Sequence, residues 1–307
     1  MLVWSDHYLM GVEELDREHW QMFEIAGKLL ERLRTRDDEA ATRVFLVREG
    51  MNYLYGYFGQ HAAREETYMR QIGYKRYALH KMQHEEFKKN QLAKYRKIVE
   101  SGVCSKEEAW DFIGNGIGWL LEHIATADMD IVGKGVLREN VASNVDISTL
   151  EHEIDLLFAA TLNLDAHTKV INTNYMGEPF GKTIYQKIIY EHNGRMVTVL
   201  SGIEISFVLS VAKALYGDGV EDEMTLVLST VEMFGAQFWV TLYRQMTGDC
   251  DNISVKESHF LVGAALREEL HNLKATVSLL FTSDNGKFFL SSNTEKIFLQ
   301  TATSQKM

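Results

Sequence analysis

The sequence has little proline, cysteine or basic charge. Its 307 residues include one proline, Pro179, and two cysteines, Cys104 and Cys250. With so little proline, long uninterrupted helices are permitted. Two distant cysteines outside any Cys-x-x-Cys motif predict free thiols rather than a disulfide, as in a reducing cytoplasm. A formal net charge of −11 argues against non-specific binding of nucleic acid, which needs a basic face.

Signals for export or membrane insertion are also lacking. The N-terminal residues MLVWSDHYLMG have neither a basic region nor an apolar core, so they predict no signal peptide. The longest apolar stretches are too short and too interrupted to predict a membrane span. The expected location is therefore cytoplasmic. Apolar residues make up 46% of the chain, which is enough for two domains with cores of their own.

The first 135 residues follow a helical pattern. Apolar side chains recur every three to four residues in four stretches, roughly 12–33, 39–72, 75–101 and 105–124. Gly73 ends the second stretch. Ser105 and Glu108 have the spacing of a capping box at the start of the fourth. Four helices joined by short loops predict an all-α, up-down four-helix bundle over residues 1–135.

Histidines and carboxylates lie on the apolar faces of these helices. His61 and Glu65 are four residues apart, as are His80 and His84, so each pair shares one helix face. Burying unpaired carboxylates among neutral imidazoles is costly, and a cation removes that cost. This ligand set without thiolate suits iron, and zinc or manganese less specifically. The predicted metal ligands are His19, His61, Glu65, His80, His84, His123 and Asp128.

Ferritin-like di-iron proteins are the alternative for such a bundle. They use Glu-x-x-His motifs on two of their helices, and no histidine in the first half of this sequence has a glutamate three residues before it. A histidine-rich site also leaves the metal pair less anionic. The composition therefore favours reversible ligand binding over activation of oxygen.

The order H…HxxxE…HxxxH…HxxxxD resembles hemerythrin, and the segments LDREH and WLLEHI resemble the bacterial hemerythrins. The resemblance covers about residues 1–135. It implies two non-haem irons joined by an oxo or hydroxo bridge, with dioxygen as the ligand. Phe23, Trp119 and Leu120 are candidates for the apolar wall around that ligand. By position, His80, His84 and His123 would hold one iron, His19 and His61 the other with an open position, and Glu65 and Asp128 would bridge the two.

The second half has a different pattern. Residues 136–149 predict a linker, and residues 150–307 a second domain. Strand-like segments at 183–190 and 195–201 flank His192-Asn193-Gly194, a hairpin turn signal. Helices at about 148–163, 204–215 and 223–246, with a second hairpin around 283–286, predict an α+β domain with a mostly antiparallel sheet.

This element order resembles the CheX-like domains of the CheC/CheX/FliY group over about residues 150–295. The fragments GRMVTVLSG and AKALYGD carry part of the likeness. The family includes phosphatases of phosphorylated CheY-type response regulators, with a Glu-x-x-Asn motif on the long helix. Here Glu232 is present, but Gly235 stands at the asparagine position. Gln237 lies five residues from Glu232 and is turned well round the helix, so the motif is degenerate.

The sequence therefore predicts an oxygen- or redox-responsive signalling protein. The di-iron bundle would bind dioxygen, and the CheX-like domain would relay its state to a CheY-type response regulator or to a homodimer partner. Two alternatives stay open: an oxygen-gated phosphatase of CheY-type regulators, and a dioxygen carrier or store whose second domain only oligomerises. Nitric oxide or redox potential could be the signal at the same irons. Neither nucleic acid nor a membrane is an expected partner.

Overall fold

The computed structural model describes residues 2–136, 146–247 and 253–293. They form two compact units. The first unit ends at Gly135 and also contains Leu215–Val231, and the other described residues form the second. Most of the predicted linker, 136–149, and also Cys250 lie outside the described residues. The other cysteine, Cys104, is a buried free thiol.

The first unit is a helical bundle, as predicted. Three π-helical segments join successive α-helices, so that seven helices make four long arms: α1; α2 with α3; α4 with α5; and α6 with α7. The π segments are Leu54–Phe58, Phe87–Gln91 and Ile124–Asp128. The helices are α1 (Glu13–Arg36), α2 (Ala40–Tyr53), α3 (Gly59–Ile72), α4 (Tyr77–Glu86), α5 (Leu92–Ser101), α6 (Lys106–His123) and α7 (Met129–Ile131).

The two predicted local signals set helix ends. Gly73 ends α3 in the left-handed region, at φ 68°. Ser105 and Glu108 form both hydrogen bonds of the predicted capping box at the start of α6. Glu39 precedes α2 and makes no side-chain cap. The fourth arm, expected to stop near residue 124, continues to Ile131.

The second unit contains one six-stranded antiparallel sheet, in agreement with the predicted fold class. Its strand order is β1-β5-β6-β3-β2-β4. The short strand β1 and helix α11 were not predicted. The strands are β1 (Lys169–Asn172), β2 (Thr183–His192), β3 (Arg195–Glu204), β4 (Ile253–Leu261), β5 (Val277–Ser283) and β6 (Gly286–Ser292); the helices are α8 (Ile147–Leu162), α9 (Ile205–Tyr216), α10 (Met224–Thr247) and α11 (Leu266–Leu273).

The hairpin of β2 and β3 forms around the predicted Asn-Gly turn. Asn193 and Gly194 have φ values of 49° and 74°, as the tight turns of two-residue hairpins require. The last pair of the ladder is His192 with Arg195. This turn fixes the register, so that alternate residues of β2 face the core.

Helix α10 packs on that core face of the sheet. The Tyr190 hydroxyl donates to the Ala236 carbonyl at 2.9 Å, and the Gln186 side chain donates to the Glu232 carbonyl at 2.8 Å. Among the described residues, Met224–Met246 is the one helix long and apolar enough to cross a membrane, which corrects the expectation of none. However, 78% of its most apolar window is buried inside the protein, which is the pattern of an internal helix.

Residues 215–231 pack against α6 within the first unit. A Cβ atom on Gly114 would lie 2.8 Å from the Ser229 Cβ and 2.9 Å from the Leu226 carbonyl oxygen. The absence of a side chain at Gly114 therefore permits the close approach of two helix backbones. Arg34 adds two hydrogen bonds, at 2.6 and 2.7 Å, to the carboxylate of Glu223.

Candidate metal centre

The predicted ligands lie together in the interior of the bundle. Each of the four arms contributes at least one of them, and none is more than 3% exposed. Their imidazole nitrogens and carboxylate oxygens face one another rather than the surrounding apolar side chains. The cluster comprises His19 on α1, His61 and Glu65 on α3, His80 and His84 on α4, His123 on α6 and Asp128 on the last π segment.

These side chains form two groups that share both carboxylates. One group contains three histidines and the other two, and in each the potential ligand atoms lie within 4.8 Å of one another. Glu65 and Asp128 belong to both groups. This is the arrangement expected of two neighbouring cation positions with two carboxylates between them. The groups are His80, His84 and His123, and His19 and His61, each with Glu65 and Asp128.

Distances in the three-histidine group are those of atoms directed at one point. His84 Nε2 lies 3.0 Å from His123 Nε2 and 3.2 Å from His80 Nε2. Glu65 Oε2 is 3.0 Å from His80 Nε2, and Asp128 Oδ1 is 3.1 Å from His123 Nε2. Three mutually adjacent Nε2 atoms cannot all be satisfied by hydrogen bonds among themselves.

The two-histidine group has the same character. His19 Nε2 lies 3.2 Å from His61 Nε2 and 3.1 Å from Asp128 Oδ2. Glu65 Oε1 is buried and has no hydrogen-bond partner among the described residues. An orphaned carboxylate oxygen next to converging imidazoles fits a cation between them. The donors are nitrogen and oxygen without sulfur, so the set fits two non-haem iron ions.

The π segment Ile124–Asp128 explains the five-residue spacing of the last two ligands. In an α-helix, a residue five positions on is turned by ~140° away from the first. In a π-helix the hydrogen bond runs from i to i+5, and here the Met129 N–H reaches the Ile124 carbonyl. His123 and Asp128 therefore face the same cluster. The prediction that Asp128 lies beyond the helix is wrong for this reason.

The other two π segments also adjoin ligands. Phe58 ends one segment, three residues before His61, and Phe87 begins the other, three residues after His84. The two phenyl rings contact each other with centroids 5.5 Å apart. Such segments often occur at functional sites, and the spacing of side chains in the sequence gave no sign of them.

Burial and charge act in opposite directions on the titrating groups. Burial raises the pKa of Asp128, but the imidazoles of His123 and His19 outweigh it and hold that pKa well below its usual range. At Glu65, burial and the Asp128 charge raise the pKa, and the adjacent imidazoles overcome them. Burial lowers the pKa of the His84 imidazole to about 4. Ionised carboxylates and a neutral imidazole are the forms that bind cations.

An outer contact reaches one ligand. His61 Nδ1 lies 2.9 Å from Glu18 Oε2, and Arg64 pairs with the other oxygen of Glu18. Glu18 is only 5% exposed. The signal available in the sequence was its spacing, three residues after Leu15 and four before Met22, which places it on the apolar side of α1.

The three residues of the predicted apolar wall are all buried, and Trp119 contacts a ligand of the cluster. The Trp119 ring stacks on the His123 imidazole with centroids 4.3 Å apart. Trp119, Leu120 and Phe58 also line an apolar cavity of about 70 Å³. Phe23 instead contacts Trp4, edge to face, at 4.8 Å.

The second predicted motif, Glu232 with Gly235 on α10, has a different environment from the metal ligands. Gly235, on α10, faces the Gln186 side chain of β2, and a Cβ on Gly235 would lie 2.6 Å from Gln186 Oε1. Gln186 donates to the Glu232 carbonyl and to the Ser258 hydroxyl, at 2.8 and 2.9 Å. The side of α10 that carries Gly235 is therefore covered by the sheet. The sequence alone did not indicate Gln186.

The bundle matches known proteins. Residues 10–134 match the family model described as the hemerythrin HHE cation binding domain. The bacteriohemerythrin of Clostridium acetobutylicum is 30% identical over 133 residues, which are 43% of this chain and 99% of that protein. The chain belongs to the hemerythrin family. Among other hemerythrin relatives, the bacteriohemerythrin of Stenotrophomonas maltophilia is 30% identical over 128 residues, 42% of this chain and 77% of that protein. That of Pseudomonas aeruginosa is 28% identical over 131 residues, 43% of this chain and 79% of that protein.

The hemerythrin match leaves more than half of the chain uncovered, and two solved structures each resemble about half of the chain. A CheX–CheY–BeF3–Mg complex from Borrelia burgdorferi covers 48% of this chain and 97% of its own, at 13% identity and a TM-score of 0.35. A putative chemotaxis protein from Desulfovibrio vulgaris Hildenborough covers 50% and 98%, at 9% identity and a TM-score of 0.34. Likeness at this level supports no statement about what the second unit binds.

Proposed function

We propose that the bundle binds dioxygen at two non-haem irons. Three histidines would hold one iron and two histidines the other, so the second iron would have fewer protein ligands and would be the one able to take dioxygen. The observation that carries this assignment is that Glu65 and Asp128 belong to both ligand groups. The proposed ligands are His80, His84 and His123 for the first iron, His19 and His61 for the second, and Glu65 and Asp128 for both.

The surrounding residues suit reversible binding. The iron held by two histidines would supply the site for dioxygen. The Trp119 ring stacks on the His123 imidazole and presents an apolar surface to the cluster, which limits the access of water from that side. No Glu-x-x-His pair adds further negative charge in this half of the sequence. In this proposal the bundle binds its ligand without chemical turnover.

The second domain, residues 150–307, relays the state of the irons in this proposal. Its antiparallel sheet and long helix fit the CheX-like resemblance of the sequence. On the sequence resemblance to CheX-like domains, a CheY-type response regulator is the proposed partner, with a homodimer as the other receiver. A cytoplasmic location follows from such a partner.

Phosphatase activity is the alternative role of this domain. The motif needs a carboxamide beside Glu232 that can reach a partner. Gln186 supplies a carboxamide there, but it is only 3% exposed and lies under α10. We therefore favour binding without catalysis. A simple dioxygen store, with the second domain only oligomerising, remains the second candidate because the bundle alone suffices for it.

The first test is reconstitution of the full chain with ferrous iron under argon. The proposal predicts two irons per chain and a visible absorption that rises with dioxygen and disappears when dioxygen is removed. One iron per chain, or a spectrum that never reverses, would contradict it.

The second test is the decay of a phosphorylated CheY-type regulator with the reduced, oxygen-free protein and again after air. Unchanged decay together with state-dependent binding supports a relay. Accelerated decay in one state alone would establish the phosphatase. If the protein neither accelerates the decay nor binds the regulator in either state, the dioxygen store is the remaining function.

A further inference from the structure

His61 differs from other histidines of the cluster in its outer contact. Its Nδ1 atom lies 2.9 Å from Glu18 Oε2. The Nδ1 atoms of His19, His80 and His84 have no hydrogen-bond partner among the described residues. Among these four histidines, the carboxylate hydrogen bond is made to His61, which belongs to the two-histidine group.

A short chain of charges leads from this ligand to the surface. Arg64 lies on α3 three residues after His61, and its guanidinium pairs with the second oxygen of Glu18. The Arg64 side chain is 38% exposed, whereas that of Glu18 is 7% exposed. Glu18 is thus a buried carboxylate held between a metal ligand and a partly exposed cation.

We propose that Glu18 is a positioning residue for the iron held by His19 and His61, and that Arg64 sets how strongly it acts. The inference rests on the proposed function. By accepting the Nδ1–H of His61, Glu18 fixes the tautomer whose Nε2 lone pair is free to bind the metal. It also makes that nitrogen more basic. Arg64 draws negative charge from the carboxylate and weakens this effect.

The two residues therefore have opposite effects on the iron. A more basic imidazole stabilises the more highly charged, oxidised iron. Glu18→Gln keeps an acceptor oxygen of similar size but removes the charge, so it should raise the reduction potential. Arg64→Met leaves the full charge of Glu18 on His61, so it should lower the potential. A purely structural role would not give opposite signs.

The experiment uses the full chain with ferrous iron added anaerobically, and follows the binding of each of the two metals and the reduction potential. Glu18→Gln should weaken the binding of one of the two metals by about 10–100-fold and leave the binding of the other unchanged. Glu24→Gln is the matched control on α1. Glu24 is exposed and pairs with Lys28 at 3.0 Å rather than with a ligand of the cluster, so both affinities and the potential should equal those of the wild type.

The outcomes separate this inference from the proposed function. A wild-type chain that does not bind two metals contradicts the proposed function itself. A wild-type chain with two metals, whose affinities and potential are unchanged in Glu18→Gln, overturns the role of Glu18. Potentials that shift in the same direction in Glu18→Gln and Arg64→Met overturn the role of Arg64. If Glu18→Gln does not fold, the sign of the Arg64→Met shift decides.

Discussion

Each of the two units carries a sequence motif on helices, and the residues that surround the two motifs differ. In the bundle, side chains from all four arms converge on one buried place and leave polar atoms such as Glu65 Oε1 without partners. In the sheet unit, the Gly235 side of α10 is covered by Gln186, whose amide already donates to Glu232 and Ser258. Motif spacing identifies a helix face, but the residue opposite that face decides whether it can bind anything.

The largest effect is expected from a residue shared by both ligand groups. Glu65→Ala should reduce the bound iron from two per chain to nearly none, because each proposed iron loses a bridging oxygen at once. Glu66→Ala, the neighbouring position, should keep both. Iron and protein measured on the same desalted samples test this. Two irons retained by Glu65→Ala would contradict the proposed bridge.

A smaller effect is expected where two backbones meet in the first unit. Gly114→Val places carbon atoms against Ser229 Cβ and the Leu226 carbonyl, and a backbone cannot move aside as a side chain can. We expect a loss of about 1–3 kcal/mol in the free energy of unfolding.

Gly116→Val on the same helix is the control for that substitution, because a Cβ on Gly116 meets nothing within 4 Å. Urea unfolding followed by circular dichroism compares the two variants. Equal stability of both would show that the close approach at Gly114 is not maintained in solution.

The smallest loss of stability is expected at the second motif, Glu232 with Gly235 on α10. Gly235→Asn would restore the residue of the family pattern, but its Cβ meets the flexible end of the Gln186 side chain at 2.6 Å. We expect a loss of about 1–2 kcal/mol and no gain of phosphatase activity. The double variant with Gln186→Ala should recover part of that stability. Phosphatase activity in Gly235→Asn alone would show that this side of α10 is accessible after all.

Much of the bundle and its cluster could be predicted because the relevant forces are local. A spacing of four residues places His61 and Glu65 on one helix face, and His80 and His84 on another, independently of the rest of the chain. Gly73 and the Ser105 capping box end and begin helices through contacts within a few residues. The Asn193-Gly194 turn is equally local.

What could not be predicted depends on distant partners or on the backbone. The π segments are defined by backbone hydrogen bonds, which a side-chain pattern does not show. Glu18 is a carboxylate on the buried side of α1, and its partners His61 and Arg64 lie on another helix, so its role cannot be derived from its own segment. Gln186 meets Gly235 across 49 residues of chain. Strand β1 has four residues, too few for a periodic signal.

The π segment between His123 and Asp128 has a consequence for how this region can vary. Replacing Ala125 or Ala127 by another small residue would leave Asp128 directed at the cluster. Deleting one residue of Ile124–Asp128 and closing the segment to ordinary helix would place the aspartate four residues after His123, and residues four apart share one face of an α-helix. The spacing and the type of helix are therefore matched: five residues need the π segment, and four need an α-helix. A one-residue deletion that removes the π segment should keep the carboxylate directed at the cluster, whereas a five-residue spacing in ordinary helix should not.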